Sequence, residues 1–216
     1  MAKVYIYVVA RDFGFAPNPY HGVCSLATCK PAIRSTAQVG DWIFGVGGSG
    51  LKATGKCIYA MRVTKKITFN EYWFNPQYND KKPVRNGSKR MVVGDNIYYY
   101  DEKTQIWHQA HSHHSMSDGT INKSNLLRDT SSQNVLLSKY FFYFGLSAPV
   151  IPEDILKGIK YENRIGHRKF DTKEAYRLIE WIEDEHFKSL NLVVAKPYNF
   201  DNSSAHYSVE TNKISL

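Results

Sequence analysis

Residues Lys3 to Ala10, KVYIYVVA, form an apolar run of β-branched and aromatic side chains with almost no alternation. A strand that is apolar on both faces has to be covered on both, so this segment predicts a buried strand inside a layered fold. The next residues, RDFGFAPNPYHG, are rich in Gly, Pro and Asn and read as a long loop stiffened by two prolines. Pro31 suits the first position of a short helix, PAIRSTAQ. Val39-Gly40-Asp41 turns into a second strand from Trp42 to Val46, and Lys56 to Thr64 is a third.

Further on, Phe69 to Phe74 reads as a short aromatic helix and residues 75–95 as a basic, exposed excursion. Asn96 to Asp101 and Gln105 to Gln109 suggest a hairpin. Residues 110–134 are a long polar stretch, functional or disordered, before apolar strand resumes over Val135 to Leu146. Asp171 and Glu174 form a capping arrangement for the clearest helix, which sets Ala175, Leu178, Ile179, Ile182 and His186 on one side. The expected fold is α+β, a small, strongly bent mixed β-barrel with flanking helices and a C-terminal amphipathic helix. The 216 residues are read as one unit, with a core over roughly 3–155, a helical extension over 156–198 and a polar tail over 199–216.

Charge is asymmetric. Residues 1–100 carry 14 Lys and Arg against 5 Asp and Glu, whereas the remainder carries 14 against 15. A basic half of this kind draws in polyanions, DNA or nucleotides among them, or else serves solubility. Three cysteines with no repeating spacing argue against a disulfide scaffold and for a reducing, cytoplasmic setting. The apolar start is too short for a signal-peptide core, and no run approaches the ~18 residues of a membrane span. No membrane partner is expected.

Three motifs hold candidate chemistry. Arg11 and Asp12 leave the end of the first strand, with Asn18 in the loop beyond and Lys30 at the helix start. Arg11 and Lys30 are suited to phosphate, and Asp12 and Asn18 to a base edge; the plainer reading is an Arg11–Asp12 surface pair on a rigid proline loop. Cys24 paired with a histidine base is conceivable as a nucleophile, against the commoner buried, inert thiol. Cys24 and Cys29 do not have zinc-ligand spacing. The second motif places four of the eight histidines, His108, His111, His113 and His114, within seven residues, followed by Asp118. They suit ligand contact or acid–base work, or else an exposed loop; no metal and no cofactor are expected. Third, Trp42 follows a Gly-Asp turn, and Trp42 or Trp73 offers a stacking face. The glycines from Gly45 to Gly50 lack the Lys-Ser/Thr ending of a phosphate loop and precede a strand, which excludes that mode of triphosphate hydrolysis.

The opening YVVARDFGFAPNPYHGVCSLATCKPAIRSTAQVGDWIFGVGG, with HSHHSMSDGTINKSNLLRDTSSQNVLLSKYFFYFG and the prolines Pro149 and Pro152, resembles the nucleotide modification associated domain of type 2. That resemblance implies a setting beside systems that modify DNA bases in bacteria and their viruses, with modification enzymes as possible partners. The order of elements is also similar to PUA-like barrels, which imply a base-reading cleft beside the first strand, near Arg11, Asp12, Asn18 and Trp42. Two functions stay open beside each other. One is a binding module that holds a modified base, with His113, His114 and Asp118 closing the cleft. The other is an enzyme in which Asp12 or a loop histidine acts as base, positioned by His113, His114 and Asp118. A third reading is a scaffold whose exposed aromatics bind a partner.

Overall fold

Strand β1 (Lys3–Val9) lies within the largest sheet of the structure, a computed structural model that describes residues 2–215. In chain order it is followed by β2 (Cys24–Leu26), α1 (Pro31–Thr36), β3 (Trp42–Gly47), β4 (Cys57–Arg62), β5 (Lys65–Thr68), α2 (Phe69–Phe74) and α3 (Lys89–Val92). Next come β6 (Tyr98–Asp101), β7 (Ile106–Gln109), α4 (Lys123–Thr130), β8 (Asn134–Ser138) and β9 (Phe141–Tyr143). The chain ends with α5 (Glu153–Gly158), β10 (His167–Asp171), α6 (Tyr176–Glu185), β11 (His206–Ser208) and β12 (Lys213–Ser215).

The main sheet runs β10-β1-β3-β4-β9, with β1 parallel to β3 and the other pairings antiparallel. Strand β1 has a paired neighbour on each side and helix α6 contributes Leu178, Trp181 and Ile182 to its core, which accounts for a run without alternation. A second, three-stranded sheet runs β2-β8-β5, and the hairpins β6–β7 and β11–β12 stand apart from both. The architecture is mixed α+β. No closed barrel is found among the described residues: the main sheet ends openly at β10 and β9, because no ladder joins them.

Two apolar clusters fill the interior. The larger lies on the main sheet; the smaller gathers Phe13, Phe15, Tyr20, Tyr72, Tyr98, Val135 and Leu137 around the second sheet. Phe13, Phe15 and Tyr20 belong to the loop after β1, so their burial pulls that loop inward. Residues 75–95 are not the expected exposed excursion throughout. Lys81 is buried and donates from Nζ to the Asn18 and Val23 carbonyls at 3.0 and 2.6 Å and to Asn18 Oδ1 at 2.9 Å. Asp95, also buried, accepts from Ser25 Oγ at 2.6 Å and the Tyr72 hydroxyl at 2.9 Å. Buried polar groups need such partners, and this network ties the segment to the second sheet.

Residues 156–198 contain α6 and also β10, which pairs with β1 through the register Lys3↔Asp171 to Tyr7↔His167. Beyond residue 199, β11 and β12 pair antiparallel, and the Tyr207 amide donates to the His113 carbonyl at 2.8 Å. Among the described residues, no helix is long and apolar enough to cross a membrane.

Candidate active site

Strand β2 is short, and the chain leaves it through Ala27-Thr28-Cys29-Lys30 before α1 begins at Pro31. Cys29 and Lys30 both adopt left-handed backbone, with φ of 55° and 40°. Two successive non-glycine residues in that region are costly unless their surroundings hold them. The Cys29 amide donates to Asp129 Oδ1 at 2.8 Å, and its carbonyl accepts from Arg34 Nε at 2.8 Å. This sharp strand-to-helix turn carries the Cys29 side chain to a cavity of about 730 Å3.

Arg34, wholly buried, is the fastener. Beyond Cys29, its guanidinium donates to the carbonyls of Ser132 at 2.8 Å, Asn134 at 2.6 Å and Asp129. One side chain therefore joins the Cys29 turn to the end of α4 and the start of β8. Antiparallel pairing of β2 with β8, through Leu26↔Leu136, brings these segments side by side.

On this frame stand three groups in series. Cys29 Sγ lies 3.7 Å from His114 Nε2, and His114 Nδ1 lies 2.7 Å from Asp129 Oδ2. Asp129 Oδ2 also accepts from the Tyr98 hydroxyl at 3.0 Å. The His114 carbonyl is held by Gln109 Nε2 at 2.9 Å and Asn125 Nδ2 at 2.8 Å, and Phe15 packs against its ring. Burial works against a charge on His114, but the Asp129 carboxylate and the Cys29 sulfur outweigh it and hold the imidazole pKa up to about 10. Burial likewise raises the Asp129 carboxyl, yet His114 and Arg34 bring it below the ordinary carboxylate value. A buried carboxylate thus fixes an imidazole ring whose other nitrogen faces the Cys29 sulfur. This is the arrangement by which a histidine orients and activates a cysteine nucleophile.

The same three residues place possible metal-ligating atoms within 4.8 Å of one another. The donor set argues for the triad. Both Asp129 oxygens are engaged, one by the Cys29 amide and the other by His114 and Tyr98, so Asp129 acts on the imidazole rather than as a free ligand. Cys29 and His114 alone fall short of the three protein ligands of a catalytic zinc.

The other two thiols differ sharply from Cys29. Cys24 and Cys57 are 0% exposed, and burial pushes the Cys24 thiol up to about 12 and raises that of Cys57. The conceivable nucleophile Cys24 is thereby an inert core residue of β2, and Cys29 is the thiol that lines the cavity.

The cavity wall also holds Arg11, Lys30, Arg128 and Arg164, the hydroxyls of Ser49 and Thr54, and no carboxylate. Lys30 Nζ sits 4.4 Å above the Tyr7 ring, and the Arg11 guanidinium sits 5.1 Å above Tyr207 while donating to Asn212 Oδ1 and its carbonyl at 3.1 and 2.8 Å. Neither cation has an acidic partner among the described residues, so both are placed by aromatic faces and neutral oxygens. Arg11, Lys30, His113 and His114 thus line one hollow although they are distant in sequence.

Four other candidates stand elsewhere. Asp12 is buried and accepts from the Tyr143 hydroxyl at 2.5 Å and the Tyr198 amide at 3.1 Å; the inward pull on its loop makes it a structural hub instead of a base at the cleft. Asn18 serves Lys81 and donates to the Val93 carbonyl at 2.8 Å. Trp42 is a core residue stacked on Phe44 and Phe142, since both faces of β3 are covered. Asp118 is exposed and holds the Thr120 amide and hydroxyl in a turn. Of the remaining histidines in the cluster, His108 stacks on Tyr99 and His111 on His206. Trp73 stacks on Tyr99 under Lys82. Asp129 and the Cys29–His114 contact had no counterpart among the sequence expectations. The signal available for Asp129 was the helix start at Asn122, whose side chain accepts from the Asn125 amide.

A family model described as nucleotide modification associated domain 2 matches residues 1–204. No curated protein and no solved structure matches the chain.

Proposed function

The chain belongs to the nucleotide modification associated domain 2 family, and from that premise we propose that it is an enzyme in which Cys29 attacks an electrophilic carbon of a nucleotide-class substrate. The observation that carries this reading is the series Cys29–His114–Asp129 opening onto the cavity. His114 Nε2 lies 3.7 Å from Sγ, within reach to orient the sulfur, and the thiolate is the nucleophilic form of cysteine. Arg11 and Lys30 supply the charge for a phosphate, and Tyr7, Phe13, Phe15 and Tyr207 supply apolar faces for a base. Pockets for small ligands commonly run from about 300 to 1,000 Å3, which suits a nucleotide or one flipped-out base.

Recognition of a modified base without turnover is the second reading. It is favoured by Arg11, Lys30 and Arg128 of the wall, whose charge is available to an anion whether or not Cys29 reacts. Under either reading a nucleotide occupies the space before Cys29. Iodoacetamide alkylation of Cys29, followed by peptide mass spectrometry, is expected to slow at least about tenfold with saturating nucleotide, by exclusion of the reagent. Lys30→Ala is expected to raise the nucleotide concentration needed for that protection about tenfold, equivalent to ~1.4 kcal/mol. Alkylation unaffected by any of the common deoxynucleotides or by single-stranded DNA would remove the nucleotide from the account. A Cys29→Ser variant separates the two readings, since it keeps binding and loses turnover.

A further inference from the structure

His113 is not used by the series Cys29–His114–Asp129, yet it lines the same cavity. Its Nδ1 meets the Ala205 carbonyl, which can only accept, so Nδ1 carries the proton. Nε2 then presents a lone pair and has no hydrogen-bond partner among the described residues. Phe13 and Phe15 enclose the ring, with centroids 4.5 and 5.1 Å away. Burial, and the charge on His114, push the His113 pKa down to about 3. Its ring lies 5.8 Å from that of His114, so one cavity holds an imidazolium and a neutral imidazole side by side.

Nucleobases offer few carbons to a thiolate. The C5=C6 bond of a pyrimidine, conjugated with C4, is a soft electrophile of the kind sulfur prefers, and purines lack an equivalent. We propose that the substrate is a pyrimidine nucleotide, that Cys29 adds to C6, and that His113 Nε2 removes the proton from C5. This rests on the thiol-nucleophile reading above. Addition forms the S–C6 bond and moves the C5=C6 electron pair toward the C4 substituent. C5 then takes a proton derived from solvent. His113 withdraws the original C5 proton, the electron pair returns to C5=C6, and the S–C6 bond breaks to release the thiolate. The cycle replaces one hydrogen by another and needs no further reactant.

Exchange at C5 is therefore the test. The full chain is incubated in D2O with dUMP, dCMP or a single-stranded oligonucleotide containing both bases, and the H5 signal is followed by proton NMR. The expected result is loss of H5 from at least one of the three, at least tenfold faster than without protein and absent in Cys29→Ser. His113→Gln is expected to slow exchange at least a hundredfold while iodoacetamide still alkylates Cys29 at the wild-type rate. His113→Asn serves if the glutamine variant fails to fold, and the wild-type measurement needs no variant. No exchange from any substrate, with Cys29 alkylated normally, would overturn the pyrimidine inference and leave the thiol reading standing. Exchange that persists in the His113 variants would overturn the role of His113. Loss of Cys29 alkylation in the wild-type protein would instead defeat the underlying reading.

Discussion

Arg34→Leu is expected to destabilise the protein by ~4 kcal/mol or more. The reason is a count of orphaned acceptors. Leucine leaves the carbonyls of Cys29, Asp129, Ser132 and Asn134 without the guanidinium that now serves all four. Each buried carbonyl left unsatisfied costs about 1–3 kcal/mol, and relaxation recovers only part of that sum. Arg34→Lys keeps the charge but lacks the planar fork, so it is expected to fall between wild type and leucine. Chemical denaturation checks the order. A leucine variant as stable as wild type would show that the left-handed turn at Cys29 is held by something else.

Asp129→Asn is the second large effect, and its signature lies in pH. The folded-state pKa of His114 is raised above its unfolded value of about 6.5. The stability it contributes is therefore fully present below pH ~6.5 and is lost as pH rises through about 10. Asp129 is lowered, so its contribution is present above the ordinary carboxylate range and is lost as pH falls. The pair stabilises the fold between these limits. Lys81, lowered to about 8 by burial, acts in the opposite sense: stability rises with pH between that value and the unfolded lysine value of 10.5. The informative quantity is therefore the difference between wild type and variant. At pH 7 the asparagine protein is expected to be less stable by ~3–5 kcal/mol, the cost of breaking a buried pair. That gap is expected to narrow as pH is raised toward 10. A gap that is absent at pH 7, or constant with pH, would contradict an ionised His114–Asp129 pair.

Strands β1, β3, β4, β8 and β9 could be read from the sequence because they lie in dense apolar runs, and the short helix at Pro31 because proline suits its first turn; β5, β10, β11 and β12 are short and polar and pair only through distant partners. Barrel closure was not legible, since it depends on which strand edges meet and no single residue encodes that. The burial of Asp12 and Asn18 was equally hidden. Their partners, Tyr143 and Lys81, come from distant segments, and a carboxylate at a strand end looks the same whether it turns outward or inward. His113 and His114 stood out by density, but which of the clustered histidines reach the cavity is decided by the packing of Phe13 and Phe15. Cys29 and Asp129 are 100 residues apart and meet through the β2–β8 register and Arg34, which explains why the triad had no local signature.

If His114 makes Cys29 a nucleophile, cysteine-resolved alkylation will single out that thiol. The folded protein is exposed briefly to iodoacetamide at pH 7, and peptide mass spectrometry reads Cys24, Cys29 and Cys57 separately. Label is expected on Cys29 alone, with a rate that falls at least about tenfold in a folded His114→Asn variant. Equal labelling of wild type and His114→Asn at Cys29 would contradict it.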